Sequence, residues 1–189
     1  MKLMKSRSLA VFNVFAVCGV ALAVLSGAVQ DAERRFSDTT VDLGIVVSDL
    51  DRSLKFYTTV VGLTHDSEFF VDENFCRDAG LTDGHGLKIQ VLHPNGDVDG
   101  TGIKLMQLNG VNSAKADHGF IHSTLGYSYL TFHVADIDAA SARLKAAGIK
   151  PVGKDQVRVP LETPEPIYLT VIADPDGNLI ELLGPRGAK

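Results

Sequence analysis

Two stretches of the chain, 87 residues apart, carry the same order of apolar and polar positions. Residues 43–51 are LGIVVSDLD and residues 130–138 are LTFHVADID, with the apolar positions and both aspartates in register. Apolar residues at every second position predict a strand with one apolar face at the start of each copy. The repeat therefore predicts that one structural unit is used twice.

A helix is predicted after each of these strands. Asp49 and Asp136 are favourable N-cap residues, and the apolar residues that follow them recur at helical spacing. Gly62 and Gly148 come directly after these patterns, where a glycine typically ends a helix. Each copy therefore begins as a strand followed by a helix.

Both copies end in a further apolar strand. These strands are IKLM at 103–106 and LIELL at 179–183, and the turn DPDGN at 174–178 precedes the second as part of a predicted hairpin. Residues 72–102 are rich in Gly, Asp and Asn, and there we predict only one strand, at 87–92. Strand, helix and then several strands, repeated once, give an α+β fold.

The N-terminus has a different pattern. Lys2, Lys5 and Arg7 form a positive head before the uncharged apolar run from residue 9 to residue 25, and Ser-Gly-Ala follows at 26–28. This order predicts a signal peptide that is cleaved after residue 28. The alternative is that residues 9–29 remain as a membrane anchor, since about 20 apolar residues cross a bilayer. Either way, we expect the folded part to be exported, in the periplasm or another extracytoplasmic space, or held at the membrane.

These patterns divide the chain into five parts. They are a signal peptide or anchor at 1–28, a linker at 29–40, a first module at 41–108, a connector at 109–126 and a second module at 127–185.

Composition narrows the classes of function. The 189 residues are 45% hydrophobic and 22% charged, which is typical of a globular protein. The net charge is -5, and no basic run follows the N-terminal head, so a nucleic-acid partner is not expected. Two cysteines, Cys18 and Cys76, are too few for a disulfide framework or a thiolate zinc site.

Two motifs resemble a known superfamily. VVSDLDRSLKFY at 46–57, with VGL at 61–63, resembles the opening of a vicinal oxygen chelate module, as found in glyoxalases, bleomycin-resistance proteins and extradiol dioxygenases. DPDGN at 174–178 with IEL at 180–182 resembles the end of such a module. The resemblance implies two βαβββ modules whose mixed sheet curls into a cup for a small molecule. The modules would pair within one chain or across a homodimer.

The resemblance also implies where a metal would bind. Members of the superfamily typically hold a divalent ion with one residue from the first strand and one from the last strand of each module. Those positions fall on Asp42 and Lys104 in the first module, and on Tyr129 and Glu181 in the second. Only Glu181 is of the usual type, and a protonated lysine has no lone pair to donate. We therefore expect that the usual four-ligand site is absent and that no cofactor is bound, with a divalent metal left open as the alternative although most of the usual ligands are missing.

His133 does not restore that set of ligands. It lies on the same strand face as Tyr129 but four residues further along, roughly 13 Å away at the rise of a strand. One ion cannot reach both positions, because metal–ligand bonds are about 2 Å long. We interpret His133 as a residue that lines the cup.

We hypothesise that Asp42, Lys104 and Glu181 form a charged cluster in place of the metal, either as part of the binding site or as a salt bridge that closes the cup. The predicted ligand-binding residues are Asp42, Lys104, Tyr129, His133 and Glu181. The predicted function is metal-independent binding of a small molecule. The alternative is a glyoxalase-like lyase or isomerase, related to lactoylglutathione lyase, with Glu181 as the catalytic residue that moves a proton, either with or without a metal.

Overall fold

The computed structural model describes residue 37 and residues 40–187. The predicted signal peptide or anchor at 1–28 and nearly all of the predicted linker at 29–40 lie outside the described residues. Within the described part, no helix is long and apolar enough to cross a membrane. All the elements given below belong to the unit Thr40–Lys189.

The first module contains four strands and two helices. Its elements in chain order are β1 (Leu43–Val46), α1 (Leu50–Phe56), β2 (Thr64–Val71), α2 (Glu73–Asp78), β3 (Leu87–His93) and β4 (Ile103–Leu108). A π-helical turn, Tyr57–Val61, continues α1, and a short 3-10 turn, Pro94–Gly96, follows β3.

The second module repeats this order with one helix. Its elements are β5 (Tyr129–His133), α3 (Ile137–Ala146), β6 (Val157–Arg158), β7 (Ile167–Ala173) and β8 (Leu179–Pro185). The predicted α+β class and the two βαβββ modules are confirmed. The strands form two four-stranded mixed sheets, with the orders β1-β4-β3-β2 and β5-β8-β7-β6.

The predicted helix boundaries have the expected capping groups. The Asp49 carboxylate accepts a hydrogen bond from the backbone N–H of Arg52, and the Asp136 carboxylate accepts from those of Asp138 and Ala139. Gly62 ends the first helix at a φ of 97°, in the left-handed region that favours glycine. These local signals predicted the starts of both helices correctly because an N-cap side chain bonds to backbone groups two or three residues further along.

Residues 72–102 contain more structure than we predicted. Helix α2 begins at Glu73, capped by the Asp72 carboxylate, and buries Cys76 completely. Cys76 packs against Leu87, Ile89 and Val91 of β3. Helix α2 has only six residues, so its sequence shows little helical periodicity. Its stability depends on packing against β3, the next strand in the chain.

One hydrophobic core joins the two modules. It contains Leu50 and Phe56 from α1, Ile137 and Leu144 from α3, and buried residues of both sheets such as Leu182. Helices α1 and α3 therefore pack on one face of the sheets, whereas Cys76 of α2 packs on the opposite face of the first sheet. Strand alternation places Glu181 on the face of β8 opposite the buried Ile180 and Leu182.

Candidate functional site

The strand register places Lys104 and Glu181 in matching positions of the two sheets. In the first sheet β1 and β4 run parallel, with Gly44 opposite Lys104. In the second sheet β5 and β8 run parallel, with Thr131 opposite Glu181. Gly44 and Thr131 are 87 residues apart, so the sequence repeat is also a repeat in three dimensions.

Asp42 and Lys104 form an ion pair. The Lys104 ammonium donates to Oδ2 of Asp42 at 2.6 Å, and the backbone N–H of Gly102 donates to Oδ1 at 3.2 Å. The hydrogen bond from Lys104 is the main reason why the pKa of Asp42 is lowered, and it outweighs the opposing effect of burial. Asp42 therefore stays ionised, with its charge balanced by Lys104.

Residue 102 must be small for this arrangement. A Cβ added at Gly102 would lie 2.6 Å from Oδ1 of Asp42 and 3.3 Å from Cε1 of His93. Any side chain here would push the Asp42 carboxylate away from its two donors. The glycine therefore helps to position Asp42.

Glu181 does not join the Asp42–Lys104 pair. Its Oε2 accepts a hydrogen bond from the Thr131 hydroxyl at 2.7 Å, and no ion pair within 4.0 Å among the described residues includes Glu181. The hypothesis of a three-residue charged cluster is thus corrected to a pair. The reason is that Lys104 and Glu181 lie on different sheets. Lys104 pairs with Asp42, just before β1, and Glu181 with Thr131 of β5.

A cavity of about 390 Å³ lies along β1 and β5. Asp42 of the first module and Tyr129 of the second both line it, whereas Lys104 and Glu181 do not. We call it the seam cavity. A second cavity of about 540 Å³ shares three of its lining residues, Val46, His118 and Asn178.

His133 lies apart from this region. It lines a third cavity, of about 640 Å³, together with Gly62, Phe132 and Arg143. None of Asp42, Lys104, Tyr129 and Glu181 lines that cavity. The structure therefore brings Asp42 and Tyr129 to one cavity and places His133 at another.

His93 is a nearby polar residue that our sequence reasoning missed. It is buried, and its Nδ1 atom has no hydrogen-bond partner. His93 makes a small contribution to the lowered pKa of Asp42. The alternation along β3 places His93 on the same face as Val91, which pairs with Lys104. The sequence alone does not give this strand register, so it does not show that His93 lies near Asp42.

The DPDGN turn joins the two modules. The Asp174 carboxylate accepts hydrogen bonds from the backbone of Asp176 and Asn178 within the turn, and from the Tyr57 hydroxyl of the first module at 3.0 Å. Burial, followed by the charge of Asp174, raises the pKa of Tyr57, so the phenol keeps its proton and remains a donor.

Asp176, in the same turn, makes a second set of contacts with the first module. It accepts hydrogen bonds from the backbone N–H and the hydroxyl of Ser48, and its Oδ1 lies 3.2 Å from Arg52 and 3.7 Å from Lys115. Burial would raise the pKa of Asp176, but the Ser48 hydrogen bonds and the two cations together lower it. The turn that we predicted only as a hairpin thus also holds the modules together.

The four positions that correspond to metal ligands do not suit a divalent ion. Lys104 has only donors while protonated, and it is already paired with Asp42. Among residues 40–187, no three His, Cys, Asp or Glu side chains come together in a way that could hold a metal ion. The donor set therefore does not fit the usual four-ligand site of the superfamily.

The family model for the glyoxalase, bleomycin-resistance protein and dioxygenase superfamily matches residues 39–182. The chain belongs to this superfamily. The resemblance found in the two sequence motifs is thereby confirmed. No curated protein matches the chain.

Solved structures of this superfamily have the same fold. A glyoxalase family protein from Bacillus cereus is 25% identical, with a TM-score of 0.64, over 82% of this chain and 99% of that chain. The trypanothione-dependent glyoxalase I of Leishmania major is 25% identical, with a TM-score of 0.52, over 78% of this chain and 87% of that chain. A glyoxalase, bleomycin-resistance protein or dioxygenase domain from Frankia is 21% identical, with a TM-score of 0.53 over 82% of this chain and 95% of its own, and shows the fold alone.

Proposed function

We propose that this chain binds a small molecule in the seam cavity without a divalent metal. The main support is that the first-module metal position is taken by the 2.6 Å Asp42–Lys104 pair, beside a cavity of about 390 Å³. Small-molecule pockets typically measure about 300 to 1,000 Å³. The cavity is therefore large enough for a ligand, and the charge beside it is already balanced.

The Lys104 ammonium lies at a position where other members of the superfamily would have a metal ligand, and its charge is balanced by Asp42. It differs from a metal because it donates hydrogen bonds and takes no lone pairs. A ligand in this cup would be held by hydrogen bonds and apolar contacts and would have no bond to a metal. This favours a binding protein over a metal-dependent lyase.

The first test is elemental analysis of the purified protein together with a thermal-shift screen. We expect less than one equivalent of any divalent ion per chain, and we expect stabilisation by at least one compound from a set of aromatic, dicarbonyl and glycopeptide ligands. A stoichiometric ion that is lost in Glu181→Ala, but kept in the surface control Glu162→Ala, would contradict the metal-free proposal. Failure of every compound to stabilise the protein would contradict the binding proposal.

We also propose that the folded part functions outside the cytoplasm, after cleavage behind residue 28 or on an anchor at 9–29. Support comes from the positive head and the apolar run. In addition, Cys76 is buried and is the single cysteine after residue 28. The folded part therefore has no second thiol with which Cys76 could form an incorrect disulfide in an oxidising compartment. Mass spectrometry of the protein from fractionated cells tests this. An intact N-terminus in the cytoplasmic fraction would overturn it.

A glyoxalase-like lyase or isomerase is the second candidate. Glu181 keeps the usual residue type, and the hydroxyl of Thr131 orients its carboxylate on the cup face of β8. A carboxylate placed beside a hydroxy carbonyl compound can take a proton from one carbon and return it to the next, which converts the substrate to its isomer.

Turnover of the hemithioacetal of methylglyoxal and glutathione, followed by thioester absorbance, tests this candidate. If the protein is such a lyase, we expect turnover by the wild type. We also expect the turnover rate of Glu181→Gln to be at least about 100-fold lower, because the general base is lost. Activity that Glu181→Gln leaves unchanged would exclude Glu181 as the base, and absence of turnover in the wild type would exclude this reaction.

A further inference from the structure

One residue of the connector is less exposed to solvent than its neighbours. Residues 109–127 are all exposed except His118, which is half-buried. His118 lines both the seam cavity and the neighbouring cavity of about 540 Å³. The connector therefore places one imidazole where the two cavities meet.

Contacts on both sides hold this part of the connector in place. Lys115 reaches across to Asp176 of the DPDGN turn at 3.7 Å. The backbone carbonyl of Asp117 accepts a hydrogen bond from the Thr124 hydroxyl at 2.8 Å, and its carboxylate accepts from the backbone N–H of Gly119, also at 2.8 Å. These contacts restrain the connector on both sides of His118.

The lining of the seam cavity indicates what kind of molecule would fit. The charge of Asp42 is paired with Lys104, and the other polar side chains come from uncharged residue types such as Tyr127, Tyr129 and Asn178. The remainder of the lining is largely aliphatic, as at Leu43, Ile45 and Leu130. An ionised ligand would lose its hydration here without gaining an unpaired countercharge. Tyr127 and Tyr129 also offer aromatic rings against which another ring can pack. The lining therefore favours an uncharged aromatic molecule that carries a hydroxyl or carbonyl group.

We infer that His118 is a ligand-contacting residue, which hydrogen-bonds to the hydroxyl or carbonyl group of an uncharged aromatic ligand in the seam cavity. An imidazole suits this contact because it has both a donor and an acceptor when neutral. The inference rests on the proposed binding function, and it adds the class of ligand and a residue outside the two βαβββ modules.

The chain contains a matched control for His118. His122 lies four residues further along the same connector, is exposed and stacks against Phe120 with ring centroids 5.6 Å apart. It lines none of the three cavities described above. Replacing each histidine with alanine removes the same atoms from the same segment.

The experiment uses 2-naphthol as the probe, because it is aromatic, carries one hydroxyl and is uncharged at neutral pH. Its fluorescence can be followed directly, since the protein has no tryptophan. We expect His118→Ala to weaken binding roughly two- to tenfold, the loss of one hydrogen bond, whereas His122→Ala stays within about 1.5-fold of the wild type. Thermal unfolding of both variants checks that each is folded.

A second measurement needs no substitution. Diethyl pyrocarbonate modifies accessible imidazoles, and peptide mass spectrometry reports the extent at each histidine. We expect 2-naphthol to slow the modification of His118 at least about twofold, if one half or more of the sites are occupied, and to leave His122 unchanged. Equal rates at His118 with and without bound 2-naphthol would overturn the inference.

The outcomes separate the inference from the proposed function. Binding of 2-naphthol that His118→Ala and His122→Ala alter equally would overturn the role of His118 and leave the binding function standing. If 2-naphthol does not bind but another compound in the screen does, the proposed ligand class is wrong. If no compound binds, both proposals fall.

Discussion

Gly184 shows how strictly a single residue can be constrained by the packing of the second module. A Cβ at this position would lie 2.1 Å from the backbone oxygen of Val134 and 2.9 Å from a methyl group of the Val134 side chain. Real Cβ atoms do not approach so closely, and a backbone oxygen cannot move aside as a flexible side chain can. Strand β8 can therefore pass beside Val134 only because residue 184 lacks a side chain.

We predict that Gly184→Ala destabilises the protein by about 1 to 3 kcal/mol, the usual cost of overpacking. Urea unfolding measures the change. Gly153→Ala is the control, because a Cβ at Gly153 meets no atom within 4 Å. Equal stabilities of the two variants would contradict this account of Gly184.

The hydroxyl of Tyr57 is a second single-residue feature with a measurable effect. It is fully buried and donates to Asp174, which also organises the DPDGN turn. Tyr57→Phe leaves one oxygen of a buried carboxylate with one donor fewer. We predict a loss of about 1.5 to 3 kcal/mol, as for a hydrogen bond to a charged group.

The control for this substitution is Tyr127→Phe, since Tyr127 is 95% exposed. Its hydroxyl can bond to water in both the folded and the unfolded state, so we expect a change within about 0.5 kcal/mol. Denaturant titration of both variants compares them directly. A Tyr57→Phe protein as stable as Tyr127→Phe would show that Asp174 finds another donor.

Among the helices, α3 depends most clearly on its N-cap. The Asp136 carboxylate accepts hydrogen bonds from three backbone N–H groups, those of Asp138, Ala139 and Gly187. It therefore caps α3 and ties the residues after β8 to the start of that helix. The equivalent Asp49 accepts only one hydrogen bond from its helix, from Arg52.

We predict that Asp136→Ala costs about 1 to 2 kcal/mol of stability, at the upper end for an N-cap, and that Asp49→Ala costs about 0.5 to 1 kcal/mol. Thermal or urea unfolding of the two variants ranks them. The reverse order would mean that the contact with Gly187 adds nothing to the cap.

We expect the contacts between the modules to make the stability of the whole molecule depend on pH in the acid range. The pKa of Asp176 is lowered in the folded state, so its ionised form favours folding. This stabilisation is complete above the unfolded pKa, near 4, and is lost as the pH falls through the lower folded value. Asp42, whose pKa is also lowered, acts in the same direction.

We predict that the free energy of unfolding of the wild type falls as the pH is lowered below about 4, and that this fall is smaller in Asp176→Asn. Urea titrations between pH 3 and pH 7 measure it, with the exposed Asp99→Asn as the surface control. If the two variants show the same pH dependence, Asp176 is not one of the groups responsible.

The sequence was sufficient for the features that depend on neighbouring residues or on the repeat. The strand starts and the caps at Asp49 and Asp136 follow from local spacing and from the offset of 87 residues. The matching positions of Lys104 and Glu181 follow from the superfamily resemblance of the last strand in each module. Local spacing could not assign partners to charged side chains. From the sequence we paired Glu181 with Lys104. In the structure Glu181 accepts a hydrogen bond from Thr131 instead, because Thr131 lies on the adjacent strand whereas Lys104 lies on the other sheet.

The contacts between distant parts of the chain required the folded structure. Tyr57 and Asp174 are 117 residues apart, and Ser48 and Asp176 are 128 apart, so no local pattern relates them. Likewise, His118 and His122 are equivalent in the sequence, yet only His118 faces the cavities. The chain thus specified its two modules through short-range spacing, whereas the way the modules meet determined which side chains line the candidate site.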